Sequence, residues 1–171
     1  MNNNSNIKIK AIDNQLNIYV YKITPILLFS TGNDKKYFYI HENKTWRKAQ
    51  DYCLRHNAIL AEPKSAAEST KIKDLIWNNT DQSIDSPLDL VFHEGPWIGA
   101  TYEVKDRQWV WAESNQTVNS KSYTDWGKDE PTGGKNGSCL RLASEMNYRR
   151  WEFKWSANYC EVPLPFVCQM K

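Results

Sequence analysis

Residues 97–111 read WIGATYEVKDRQWVW, and the fold turns on how this stretch is read. Trp97-Ile98-Gly99-Ala100 and Gln108-Trp109-Val110-Trp111 are rich in aromatic and β-branched side chains, which suit a pleated, half-buried surface. Between them Glu103, Lys105, Asp106 and Arg107 are charged and read as a turn, so the stretch predicts two short strands. Upstream the pattern is helical. Thr45 can cap a helix in which Trp46, Ala49, Cys53 and Leu54 share one face, sending Cys53 into the core. Asn57 is its expected stop. A second helix opens at Ser65, with Glu68 three residues on as a capping box and Ile72, Leu75 and Ile76 as its apolar stripe. Lys36 to Ile40 reads as a strand before both helices.

Downstream, residues 112–138 are rich in Asn, Ser, Thr, Gly and Lys and read as a long structureless stretch, which in a compact domain usually carries function. Cys139-Leu140-Arg141-Leu142, a segment near Trp151 to Trp155, and Phe166-Val167-Cys168 supply the remaining strands. Helices first and strands around long loops afterwards make an α+β pattern. Residues 35–171 form the expected domain. Residues 1–34 are Asn-rich without a clear period and read as a leader or disordered tail. Ile23 to Phe29 followed by Ser30, Thr31 and Gly32 fits a signal-peptide core and cleavage site, yet Pro25 interrupts it and Asp13 sits in its n-region.

Composition narrows the function classes. With 22 basic against 20 acidic side chains in 171 residues, the chain has no bulk attraction for nucleic acid or an anionic membrane. No apolar run reaches the roughly 20 residues that span a bilayer. The aromatic load of 8 Trp, 9 Tyr and 5 Phe supplies much buried area to a domain with little regular structure. Cys53, Cys139, Cys160 and Cys168 form no CxxC pair, and His41, His56 and His93 do not cluster beside them, so a zinc site is poorly supported. An even count at wide spacing fits two disulfides in an oxidising, extracellular compartment; four buried thiols in a cytosolic protein are the alternative. Asn3, Asn43, Asn78, Asn115 and Asn136 each begin an Asn-X-Ser/Thr triplet, which points to a secreted glycoprotein. No Ser/His/Asp or Cys/His arrangement, GxGxxG or P-loop is present, which argues against an enzyme.

In their order, several of these residues resemble the C-type lectin-like domain: Ala49-Gln50-Asp51-Tyr52-Cys53, Trp97-Ile98-Gly99-Ala100, Trp109-Val110-Trp111, Trp126 before Glu130-Pro131, then Cys139, Cys160 and Phe166-Val167-Cys168. The match runs from about residue 36 to 170. It implies the C-type lectin-like fold, pairing of Cys53 with Cys168 and of Cys139 with Cys160, and a recognition role toward carbohydrate or protein. The extra N-terminal disulfide of long-form members is absent, because no cysteine precedes Cys53.

The resemblance also implies where calcium-binding members hold their ion: a Glu-Pro-Asn or Gln-Pro-Asp triplet, an acid two residues before the third-strand cysteine, and an Asn-Asp pair after tryptophan. Here those positions hold Glu130-Pro131-Thr132, Gly137 and, after Trp155, Ser156-Ala157. Glu130 alone remains as a remnant ligand, whereas calcium requires 6–8 oxygens and carboxylate charge. No cofactor is expected; backbone carbonyls, Asp129, or a shifted register bringing in Asn136 or Asn158 are the other route to calcium. For a calcium-free site the candidates are Glu130, Thr132 and Asn136, with Tyr148, Arg149, Arg150, Trp151 and Lys154. Aromatic faces stack on sugar rings and arginines grip sulfate or carboxylate, so the expected partner is a glycan or an acidic protein surface. The bland reading of the same residues is that Trp151 and Trp155 are core and the arginines solvated.

Overall fold

A computed structural model describes residues 35–79, 95–132, 138–147 and 150–171. The leader-or-tail segment 1–34 with its Asn3 sequon, and the candidates Asn136, Tyr148 and Arg149, lie outside the described residues. Among the described residues the order is β1 (Tyr37–Lys44), α1 (Trp46–Arg55), β2 (Ala58–Leu60), α2 (Ala66–Asn79), β3 (Trp97–Glu103), β4 (Gln108–Trp111), β5 (Thr117–Val118), β6 (Ser138–Asn147), β7 (Arg150–Tyr159) and β8 (Leu164–Met170). The strands join in one sheet of order β1-β8-β3-β4-β5, with β2 on β8, β6 on β3 and β7 on β6. This is an α+β fold.

Alternation along the strands divides the core in two, since successive side chains point to opposite faces. On β8, Phe166 and Cys168 join Trp46, Ala49, Cys53 and Trp97 beneath α1. Val167, between them, joins Ile72 and Ile76 of α2, with Trp109, Trp111, Leu142 and Trp155. Thr45 caps α1 by accepting from Lys48 N at 3.4 Å, and the chain leaves the helix through Asn57 at φ 54, a left-handed angle that asparagine tolerates. At α2 the capping box is displaced by one residue: Ser65 Oγ accepts Glu68 N, while the Glu68 carboxylate reaches Lys64 N. Gly99 belongs to a close approach, because a Cβ there would lie 2.7 Å from the Leu60 carbonyl oxygen.

Disulfides join Cys53 to Cys168, closing 115 positions of sequence, and Cys139 to Cys160, closing 21. The first ties α1 to β8, and the second ties β6 to the end of β7. Cross-links of this kind stabilise by about 2–4 kcal/mol each, mainly by restricting the unfolded chain.

Two expectations are corrected. Leu54 is 43% exposed and not core, because at 100° per residue it lies about 80° around α1 from Trp46, at the edge of the stripe. The 112–138 stretch is not structureless either: β5 pairs with β4 inside it, and Trp126 forms a parallel bridge to Trp155.

Candidate functional site

The segment after β5 is held against β7 by a short backbone splice. Trp155 N donates to Asp125 O at 2.8 Å and Gly127 N donates to Trp155 O at 2.9 Å. Trp155 is fully buried, and the rings of Trp111, Tyr123 and Trp126 all meet it close to perpendicular, an arrangement the aromatic quadrupole favours. A Cβ at Gly127 would lie 1.9 Å from Glu145 Oε1, so a larger residue there would turn the Glu145 carboxylate aside. The bland reading of Trp155 as core therefore holds.

Asp125 anchors the same segment electrostatically. Its carboxylate accepts from Lys154 Nζ of β7 at 2.8 Å, and from Lys73 Nζ and Ser69 Oγ of α2. Burial raises the Asp125 carboxyl, but hydrogen bonds from Lys154 and Lys73 outweigh it and hold the group below the ordinary carboxylate range. The Asp125 hydrogen bond in turn raises Lys154 above the usual lysine range. Lys154 thus anchors the segment through Asp125. Asp125 and Lys73 are 52 positions apart, so no local spacing signals the pair.

Beyond this anchor the chain passes through Asp129 at φ 62 and a cis Glu130-Pro131 bond. The Glu130 carboxylate is surrounded by donors. It accepts from Ser156 Oγ at 3.0 Å, Ala157 N at 3.3 Å, Thr132 N at 2.6 Å and Thr132 Oγ1 at 3.1 Å. Ser156 and Ala157, standing where the family carries ligand side chains, thus donate to the one remaining acid. Asn158 Oδ1 accepts its neighbour Tyr159 N. Calcium requires several anionic or carbonyl oxygens turned on one point. The described residues offer the Glu130 carboxylate, already engaged by protein donors, and the exposed Asp129 before it in sequence, and no described cluster of three or more His, Cys, Asp or Glu could hold a metal. They do not fit calcium.

Among the described residues the candidates stand at two places in the fold. Glu130 and Thr132 stand together against Ser156, whereas Arg150 and Trp151 begin β7 opposite Asn147 and Met146. Five residues of strand separate Trp151 from Ser156, roughly 17 Å. Of Arg150 and Trp151 only the strand position is described. Tyr159 was not among the candidates; it is 72% exposed, two residues beyond Ala157, and offers an open ring. Of the sequons, Asn43, Asn78 and Asn115 are all exposed.

The family model for the Lectin C-type domain matches residues 42–170. A curated relative, one chain of the snaclec coagulation factor IX/factor X-binding protein of Echis carinatus, is 30% identical over 137 residues, 78% of this chain and 90% of its own. Among solved structures, human lithostathine superposes with a TM-score of 0.63 at 27% identity, covering 82% of this chain and 94% of that one. The "Ca2+-independent C-type lectin SPL-2 from Saxidomus purpuratus" shares the fold with a TM-score of 0.59 at 20% identity, covering 80% and 86%.

Proposed function

The chain belongs to the C-type lectin domain family, and from that premise we propose that it is a non-enzymatic extracellular recognition module that binds carbohydrate without the family's calcium grip. The observation that carries this reading is the Glu130 carboxylate, which is engaged by Ser156, Ala157 and Thr132, with no cluster of three or more His, Cys, Asp or Glu among the described residues to hold a cation. Drawing that carboxylate to a metal would break its hydrogen bonds from Ser156, Ala157 and Thr132. That the same fold hosts a lectin described as calcium-independent is consistent with it.

Secretion draws support from the two disulfides and the exposed sequons Asn43 and Asn78. No helix among the described residues is long and apolar enough to cross a membrane. Residues 1–34 are a cleaved leader or a retained tail, which N-terminal sequencing of secreted material decides; a start near Asn33 marks cleavage. Tyr148 and Arg149, with Arg150 and Trp151 at the start of β7, are the proposed grip for a sulfated or carboxylated glycan.

A second reading, a protein ligand, is favoured by the Echis relative, whose name is that of a coagulation-factor-binding protein. The deciding experiment is a broad glycan array read in calcium and again in EGTA. Binding that survives EGTA is the expected result. Binding abolished by EGTA would overturn the calcium-free reading, and silence in both would favour protein.

A further inference from the structure

We propose that the open groove between α1 and the β3–β4 hairpin is a metal-free binding site for an uncharged saccharide. The proposal rests on carbohydrate being this chain's ligand class, and adds where a neutral sugar would sit. The groove encloses ≈ 490 Å³ and lies between Trp46, Arg47 and Gln50 of α1 and the facing side chains of β3 and β4. That volume falls within the range of small-ligand sites, roughly 300–1,000 Å³.

Its lining is polar in a particular way. Gln50 comes from α1, Thr101 from β3, Gln108 from β4 and Asn115 from the turn before β5. None of these four side chains makes a hydrogen bond to another described residue. Three are amides, each carrying two donors and an acceptor, and one is a hydroxyl. Neighbouring sugar hydroxyls present the same mixture of donors and acceptors. Val110, Ala112 and the largely buried Trp46 supply the apolar part of the lining, against which the C–H groups of a sugar ring can pack.

Charge selects among sugars. Glu103 and Asp106 border the groove and can accept from hydroxyls. The one cation in the lining, Arg47, faces Asp51 at 3.8 Å. Two carboxylates against one guanidinium repel sulfate and carboxylate groups, so the fitting ligand is uncharged.

The frame is rigid. Thr101 pairs with Val110 and Glu103 with Gln108 across β3 and β4. Trp46 Nε1 donates to Ile98 O at 2.8 Å, and Cys53–Cys168 ties α1 to β8. Polar groups held on regular elements lose little freedom on binding. The site is separate from Glu130: Thr101 pairs with Cys139 of β6, and β7, which meets Glu130, lies one strand further on.

The test is an NMR titration of the full-length, oxidised chain, refolded with Asn115 unmodified, against maltotriose, mannotriose and N-acetylchitotriose in EGTA. At least one saccharide should shift the amides of Gln50, Thr101, Gln108 and Asn115. V110W, which fills the groove, should weaken binding at least about tenfold. Q108A, which removes one amide without filling space, should weaken it about fivefold while the protein stays folded. Shifts confined to Glu130, Thr132 or the Arg150–Trp151 end of β7 would overturn the groove and leave carbohydrate recognition standing. Absence of shifts with all three, together with a silent glycan array, would overturn both.

Discussion

Glu130 and Gln108 are both polar side chains at the margins of one sheet, and their surroundings treat them in opposite ways. Glu130 is met by Ser156, Ala157 and Thr132, all of which donate to its carboxylate. Gln108 lines a groove with Gln50, Thr101 and Asn115, and none of the four has a partner among the described residues. In the family pattern the Glu130 region recognises sugar through a metal. Here the Ser156 hydroxyl and the Ala157 backbone N–H donate to Glu130, so the side chain acts as an internal brace. The contrast is between a polar group engaged within the fold and polar groups that line an open groove.

The largest effect should come from the anchor behind the brace. D125A leaves Lys73 and Lys154 facing each other without their carboxylate and should cost about 3 kcal/mol in urea unfolding. Hydrogen exchange should quicken around residues 123–132 and not along α1; a uniform loss across both regions would erase the distinction drawn here. The same carboxyl sets an acid limit. Because its folded-state pKa is depressed, its contribution is complete above the ordinary carboxylate range and is lost as pH falls through the depressed value. The Glu68 carboxyl acts in the same direction: burial raises it, but the Lys64 N–H and the Lys35 ammonium outweigh that and lower it. Stability should thus fall below about pH 4, and less steeply in D125N, as read by thermal unfolding across pH.

S156A deletes one donor to Glu130 and should destabilise by about 1.5 kcal/mol, with no gain of calcium affinity by calorimetry. A gain in calcium binding would mean the brace is a masked metal site. The smallest effect on stability belongs to the groove. Q108A should stay within about 0.5 kcal/mol of the parent in the same unfolding assay, since nothing in the fold depends on that amide. Equal costs for S156A and Q108A would abolish the contrast.

Much of the architecture was readable along the chain. Trp46, Ala49 and Cys53 recur at helical spacing and are buried together, and Gln108 to Trp111 alternates and forms a strand with Trp109 and Trp111 inside. The cysteine pairing was different in kind, since four cysteines allow three connectivities and only the family resemblance chose among them. Leu54 was misread because it falls at the edge of a stripe, where spacing alone does not separate buried from exposed. The splice of Trp126 to Trp155 left no trace in a segment whose composition is that of a loop.

Local spacing governs helices and strands, because those depend on neighbours within a few residues. The order of motifs carried the family resemblance, and that resemblance in turn implied that Thr132, Gly137, Ser156 and Ala157 stand at the calcium-ligand positions. Whether a polar atom is satisfied depends on partners brought together from far along the chain: Ser156 to Glu130 across 26 positions, and Lys73 to Asp125 across 52. Folding alone decided that Glu130 would be engaged and Gln108 left open, because hydrogen-bond satisfaction belongs to pairs in space and not to residues in order.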